Sequence, residues 1–150
     1  MLQVGDKVPE FTLPDQKGQM VSPSQFRGKK LVIYFYPKDN TPGCTTEACG
    51  LRDSHQQITD KNAIVLGISK DSQASHLKFI EKFSLPFTLL SDVETTTIQA
   101  FGAWGEKKMC GKTYMGIIRS TFIVNEEGII THVFPKVNTK THAEEVLAVL

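Results

Sequence analysis

Leu31-Val-Ile-Tyr-Phe-Tyr36 is rich in β-branched and aromatic residues with no apolar/polar alternation, a composition that predicts a strand buried on both faces of a parallel sheet. Pro37 ends it. Beyond a short loop, Cys44, Ala48, Leu51, His55 and Ile58 recur at intervals of four, three, four and three, the period of a helix with one inward face. Ala63-Ile-Val-Leu-Gly-Ile68 then predicts a second buried strand, and strand, helix and strand of this length make a right-handed βαβ unit.

Ser72 to Phe83 reads as a helix, Phe87 to Leu90 as a short strand and Glu94 to Phe101 as a further helix, before an irregular, glycine-containing segment. Thr121-Phe-Ile-Val124 and Ile129-Ile-Thr-His-Val-Phe134 flank Asn125-Glu-Glu-Gly128 and predict an antiparallel hairpin. A last amphipathic helix runs from about Thr141 to Leu150. Ahead of all this, Asp6 to Ser24 carries short apolar pieces around Gln16-Lys-Gly18, the pattern of an N-terminal hairpin extension. The order βαβαβ(α)ββα predicts an α/β chain with a thioredoxin-like fold, its mixed central sheet flanked by helices. With no repeat, low-complexity stretch or Gly/Ser/Pro-rich linker, residues 1–150 are expected to form one domain.

Composition narrows the function classes. Seventeen Lys plus Arg against sixteen Asp plus Glu leave a net charge of +1, without the basic excess that neutralises nucleic-acid phosphates, so no nucleic-acid partner is expected. No apolar run approaches the ~20 residues that span a bilayer, and no membrane segment is expected. Asp6, Lys7 and Glu10 interrupt the first residues where a signal peptide would be apolar, so the cytoplasm is the expected location. Three cysteines, Cys44, Cys49 and Cys110, make no disulfide framework and point instead to thiol chemistry in a reducing compartment.

The loop after the first strand carries that chemistry. Ligands of open α/β sheets bind beyond the carboxyl ends of the strands, where Pro37-Lys-Asp-Asn-Thr41-Pro42-Gly43-Cys44 falls. Thr41 followed by Pro42 is an N-cap and N1 pair, which sets Cys44 at N3, beside the unpaired first-turn N–H groups and the positive helix end that favour thiolate over thiol. Pro37 and Pro42 stiffen the loop, and Thr41 is expected either to cap the helix or to turn its hydroxyl toward the sulfur. Cys44 and Cys49 would have Cα atoms about 8.7 Å apart on an ideal helix, whereas a disulfide needs less than ~7 Å. A bond between them would require the first turns of the helix to unwind.

Pro37-x3-Thr41-x2-Cys44 resembles the active-site signature of the peroxiredoxins. Phe35-Tyr-Pro-Lys-Asp39, Thr41-Pro-Gly-Cys-Thr45 and Glu47-Ala-Cys49 are similar to the bacterioferritin comigratory protein, or PrxQ, subfamily. Gly5-Asp-x-x-Pro9-x-Phe11, Trp104-Gly-Glu-Lys-Lys108, Gly111-Lys-Thr-Tyr-Met-Gly116 and Arg119-Ser-Thr-Phe122 extend the likeness along nearly the whole chain. The resemblance implies a peroxidase of hydrogen peroxide and organic hydroperoxides, and the chain's own motifs lead to no expected cofactor or metal. By that resemblance, Cys44 is the peroxidatic cysteine and Cys49 the resolving one. Thr41 and Arg119 are the pocket threonine and arginine, and Pro37 closes the loop. The resemblance further implies a thioredoxin or similar dithiol reductant, and a monomer.

Lys38, Asp39 and Glu47 stay outside this candidate site, Glu47 being read as a first-turn acid that complements the helix dipole. Gly105 to Thr113 has one residue too many between its glycines for a phosphate loop and follows no buried strand, and no G-x-G-x-x-G occurs. The four histidines are scattered without metal-ligand spacing. Cys110 reads as a spectator thiol and His55 as a packed or half-exposed histidine. The competing classes are a thiol-disulfide oxidoreductase without special peroxide reactivity, against which stands the C-x4-C spacing in place of C-x-x-C, and a redox-inert binding module on the same scaffold.

Overall fold

A computed structural model describes residues 1–150. Its centre is a five-stranded sheet of β3 (Lys30–Phe35), β4 (Ala63–Ser69), β5 (Thr88–Ser91), β8 (Ser120–Val124) and β9 (Ile130–Phe134), in the order β5-β4-β3-β8-β9. β3, β4 and β5 are parallel, while β8 and β9 run antiparallel to their neighbours, so the expected mixed thioredoxin-like sheet is present. β1 (Leu13–Pro14) and β2 (Met20–Val21) form the N-terminal hairpin.

Side chains alternate along β3, and each face of the sheet acquires its own core. Leu31, Ile33 and Phe35 pack with Phe11, Phe122 and the residues of α4 (Thr96–Ala100) and its end, Ile98 and Phe101. Val32, Tyr34 and Tyr36 face α1 (Pro42–Asp53), α2 (His55–Asp60), α3 (Gln73–Phe83) and α5 (His142–Ala148), packing with Cys44, Ala48, Leu51, Ile58, Phe79 and Val146. A strand covered on both sides needs apolar residues at every position, which is why β3 shows no alternation in sequence.

Two expectations are corrected. The helix expected through Ile58 breaks at Ser54, so that α2 carries Ile58 inward while His55 is only partly buried. The segment read as irregular is a hairpin of β6 (Trp104–Met109) and β7 (Lys112–Ile117), joined through Cys110 and Gly111 at φ +52° and +77°. Two successive positive φ values are what a two-residue hairpin turn requires. Most of these strand residues face solvent, so no apolar alternation marks them in sequence.

Candidate active site

Helix α1 begins at Pro42 with Thr41 as N-cap, which leaves Cys44 at N3 as the sequence predicts, its side chain buried among Ala48, Leu51 and Tyr34. The partner of its sulfur comes from across the sheet. Phe35, the last residue of β3, is paired with Ser120, the first of β8, so the antiparallel register delivers Arg119 to the carboxyl end of β3. There Arg119 Nη2 donates to Cys44 Sγ at 3.3 Å and Nη1 donates to Glu47 Oε1 at 2.6 Å. Gly43 leaves room for this guanidinium, because a Cβ at that position would meet Nη2 at 3.3 Å.

A buried thiol at a helix start, held by a carboxylate-anchored arginine, sits on a chain whose residues 4–133 match the AhpC/TSA family. The chain belongs to that family. It is 50% identical to the putative peroxiredoxin bcp of Coxiella burnetii, over 97% of this chain and 97% of that protein. Its fold superimposes on PrxQ of Xylella fastidiosa with a TM-score of 0.93 at 36% identity, covering 99% of this chain and 94% of that one. It also superimposes on the bacterioferritin comigratory protein of Xanthomonas campestris with a TM-score of 0.89 at 38% identity, covering 96% of each chain. This peroxiredoxin is therefore a Bcp/PrxQ-type thiol peroxidase, for which the family implies a peroxide substrate and a thiol reductant. No helix of the chain is long and apolar enough to cross a membrane.

Glu47 is the residue that the sequence reading left out. It lies in the second turn of α1, three residues after Cys44, so it is not a first-turn acid, and its side chain is fully buried. The i, i+3 spacing to Cys44 on the inward face was the available signal. Burial pushes its carboxyl up to about 7, while the charge and hydrogen bond of Arg119 pull it down. For Arg119, burial works to lower the guanidinium, but Glu47 and Cys44 outweigh it and the group is raised. It remains charged.

The raised Glu47 has a consequence for stability. Between the ordinary carboxyl range and about pH 7 the native state holds a proton that the unfolded chain has released, so this group's stabilisation is complete at low pH and is lost as pH rises through 7. Glu47→Gln removes that titration. The stability of the variant relative to the native protein is expected to rise by on the order of 3 kcal/mol between pH 4 and pH 8. Urea unfolding at both pH values checks this, and parallel stability profiles would show that Glu47 titrates normally.

Around this centre the other predicted residues divide. Thr41 occupies the N-cap position, but its hydroxyl makes neither of the expected contacts: it donates to Lys38 O at 2.8 Å, which braces the loop and leaves the N-cap without a side-chain bond. Pro37, half-buried, opens the loop directly after Tyr36. Cys49, partly buried, shares α1 with Cys44 but is not bonded to it, and Cys110 is exposed at the tip of the β6–β7 hairpin.

The same hairpin brings in Lys107, whose Nζ donates to Ile117 O at 2.9 Å; burial first, then the charge of Arg119, lower it, with Cys44 acting oppositely. His142 at the start of α5 is buried and bonded through Nε2 to Thr121 Oγ1 at 2.7 Å. Burial lowers it to about 4, assisted by Arg119 and opposed by Glu145, so it adds no positive charge beside the arginine at neutral pH.

Proposed function

We propose that this protein reduces hydrogen peroxide and organic hydroperoxides at Cys44, forms a Cys44–Cys49 disulfide, and is returned to the dithiol by thioredoxin or a similar dithiol protein. The observation that carries this reading is the 3.3 Å contact between Arg119 Nη2 and Cys44 Sγ, with the other arm of the guanidinium held by Glu47. Alkyl peroxide reduction is the activity described for the Xanthomonas campestris relative.

The thiolate of Cys44 attacks one oxygen of the O–O bond. That oxygen stays on sulfur as a sulfenic acid, and the other leaves with the bonding pair, to be protonated to water or an alcohol. A free thiol with a pKa of ~8.5 is about 3% ionised at pH 7, so complete ionisation gains only ~30-fold, about 2 kcal/mol. The remaining acceleration comes from holding the peroxide in line with sulfur and from donors aimed at the developing charge. Arg119 supplies those donors, with the first-turn N–H groups of α1, while Pro37 and the Thr41–Lys38 bond keep the loop in shape. The thiol of Cys49 then attacks the sulfenic sulfur, releasing water and forming the disulfide. Because both cysteines lie within one continuous helix, this step unwinds the first turns of α1. A dithiol reductant supplies the two electrons and two protons that restore both thiols.

The test is a set of stopped-flow reactions of reduced protein with one equivalent of hydrogen peroxide at pH 7, followed by intact-protein and peptide mass. Native protein is expected to lose two thiols and form the Cys44–Cys49 disulfide, Cys49→Ser to stop at a Cys44 sulfenic acid with the first rate unchanged, and Cys44→Ser not to react. If Cys44 reacts no faster than an ordinary thiol of equal ionisation, the peroxidase reading falls and a disulfide oxidoreductase or a redox-inert binding module takes its place.

A further inference from the structure

Asp39, left outside the candidate site by the sequence, is buried in the loop that leads to Cys44 and makes no hydrogen bond to Arg119 or Glu47. Its carboxylate is fully engaged. Oδ1 accepts from Tyr36 Oη at 2.5 Å, and Oδ2 faces His76 Nδ1 at 2.7 Å and accepts from Ser75 Oγ at 2.8 Å. The opposite ring nitrogen of His76, Nε2, faces Leu90 O at 3.1 Å. Both nitrogens of a fully buried imidazole thus face oxygen atoms of the protein. The backbone N–H of Asp39 donates to Asp71 Oδ2 at 2.9 Å, and Asp71 is itself bonded to Ser69. Asp39, Asp71 and His76 lie close enough to suggest a metal site, but both Asp39 carboxylate oxygens, both ring nitrogens of His76 and Asp71 Oδ2 already have protein partners.

These contacts tie one point of the loop to three elements at the carboxyl edge of the sheet: α3 through Ser75 and His76, β4 through Ser69 and Asp71, and β5 through Leu90. Asn40, the next residue, is held at φ +59° and accepts from Lys82 Nζ. The hydroxyl of Tyr36 is kept protonated as a donor, since burial, Tyr34 and Asp39 all push it up. The tether has a bearing on resolution because only Asn40 and Thr41 separate it from α1, whose first turns must unwind before Cys49 reaches Cys44.

We infer that the Asp39–His76 pair is a clamp on the peroxidatic loop: it holds the wound, dithiol conformation and is released when the Cys44–Cys49 disulfide forms. Asp39 and His76 are positioning residues, acting on the reaction through the loop. The cavity beside the clamp, about 350 Å³ and bordered by Asp39, Ser75, Lys78 and Lys82, lets a released carboxylate meet water and two ammonium groups. The inference rests on the disulfide proposed above, and it makes the thiol–disulfide equilibrium depend on residues that touch neither sulfur.

That equilibrium is the test: the exchange of two electrons and two protons between the Cys44/Cys49 dithiol and oxidised dithiothreitol, read by mass in full-length protein. His76→Asn and Asp39→Asn are each expected to shift it at least tenfold toward the protein disulfide, about 30 mV. The double variant is expected to go no further than the larger single shift, because both act through one pair. Ser75→Ala, a milder change that keeps the pair, is expected to shift it at least about twofold in the same direction. Val124→Ala, in the core on the other face of the sheet, lowers stability and leaves the potential where it was. Shifts below twofold in Ser75→Ala and in whichever pair variant folds would overturn the clamp, and would mean that Asp39 stays seated while α1 unwinds downstream. If native protein forms no Cys44–Cys49 disulfide, the proposed function itself falls, whereas a disulfide with unshifted equilibria removes the clamp alone.

Discussion

Replacing Arg119 with methionine lowers the second-order rate constant for hydrogen peroxide by about 10²- to 10³-fold, the loss seen when one preorganised donor is removed from a developing negative charge. Methionine keeps much of the side-chain length and apolar stem, so the change isolates the guanidinium. Its effect exceeds what ionisation of Cys44 accounts for, since that is limited to ~30-fold at pH 7. Arg119→Lys recovers little, because a single ammonium does not reproduce a planar fork that reaches Glu47 and Cys44 Sγ with separate nitrogens. Stopped-flow rates across pH 6 to 9 check both variants. If the Arg119→Met deficit disappears at high pH, the arginine acts only by ionising the thiol, and its role in stabilising the transition state is lost.

Phe101→Ala is expected to cost about 3–5 kcal/mol of stability, a large share of the roughly 5–15 kcal/mol that holds a domain of this kind together. Phe101 is fully buried and meets three aromatic rings, Phe11, Phe35 and Phe122, at centroid distances of 6.1, 5.0 and 5.1 Å. Those rings come from the N-terminal segment and from two different strands, so no single movement refills the space. Urea unfolding measures the loss as a lower midpoint at unchanged slope. Because Phe101 lies on the face of the sheet opposite Cys44, the folded variant is expected to keep the native rate with peroxide. A loss under about 1.5 kcal/mol would show that the cluster collapses around the vacancy.

Much of the architecture was legible in the chain because its signals are local. β3 and β4 announce themselves as unbroken apolar runs, since a strand covered on both faces has no polar side to display. Ser72 marks the start of α3, and the structure shows its side chain accepting from Ser75 N. The β6–β7 hairpin was not legible, because its residues mostly face solvent and the Cys110–Gly111 turn is not among the usual turn pairs. The break at Ser54 was hidden for a different reason: the inward period continues into Ile58, and periodicity registers facing side chains without registering an interrupted backbone ladder.

The same division runs through the site. By itself the sequence determined that Cys44 stands at N3 of a helix behind a proline-stiffened loop, and that Cys49 lies too far along that helix to bond without unwinding it. Both follow from capping preferences and helix geometry over a few residues. Only the tertiary structure decided which groups meet the sulfur. Arg119 is 75 residues from Cys44 and 72 from Glu47, and His76 is 37 from Asp39. Their meeting is set by the pairing of β3 with β8 and by the packing of α3 against the carboxyl edge of the sheet. Those arrangements depend on how the apolar faces of distant segments bury one another, and no short-range pattern of residues specifies them.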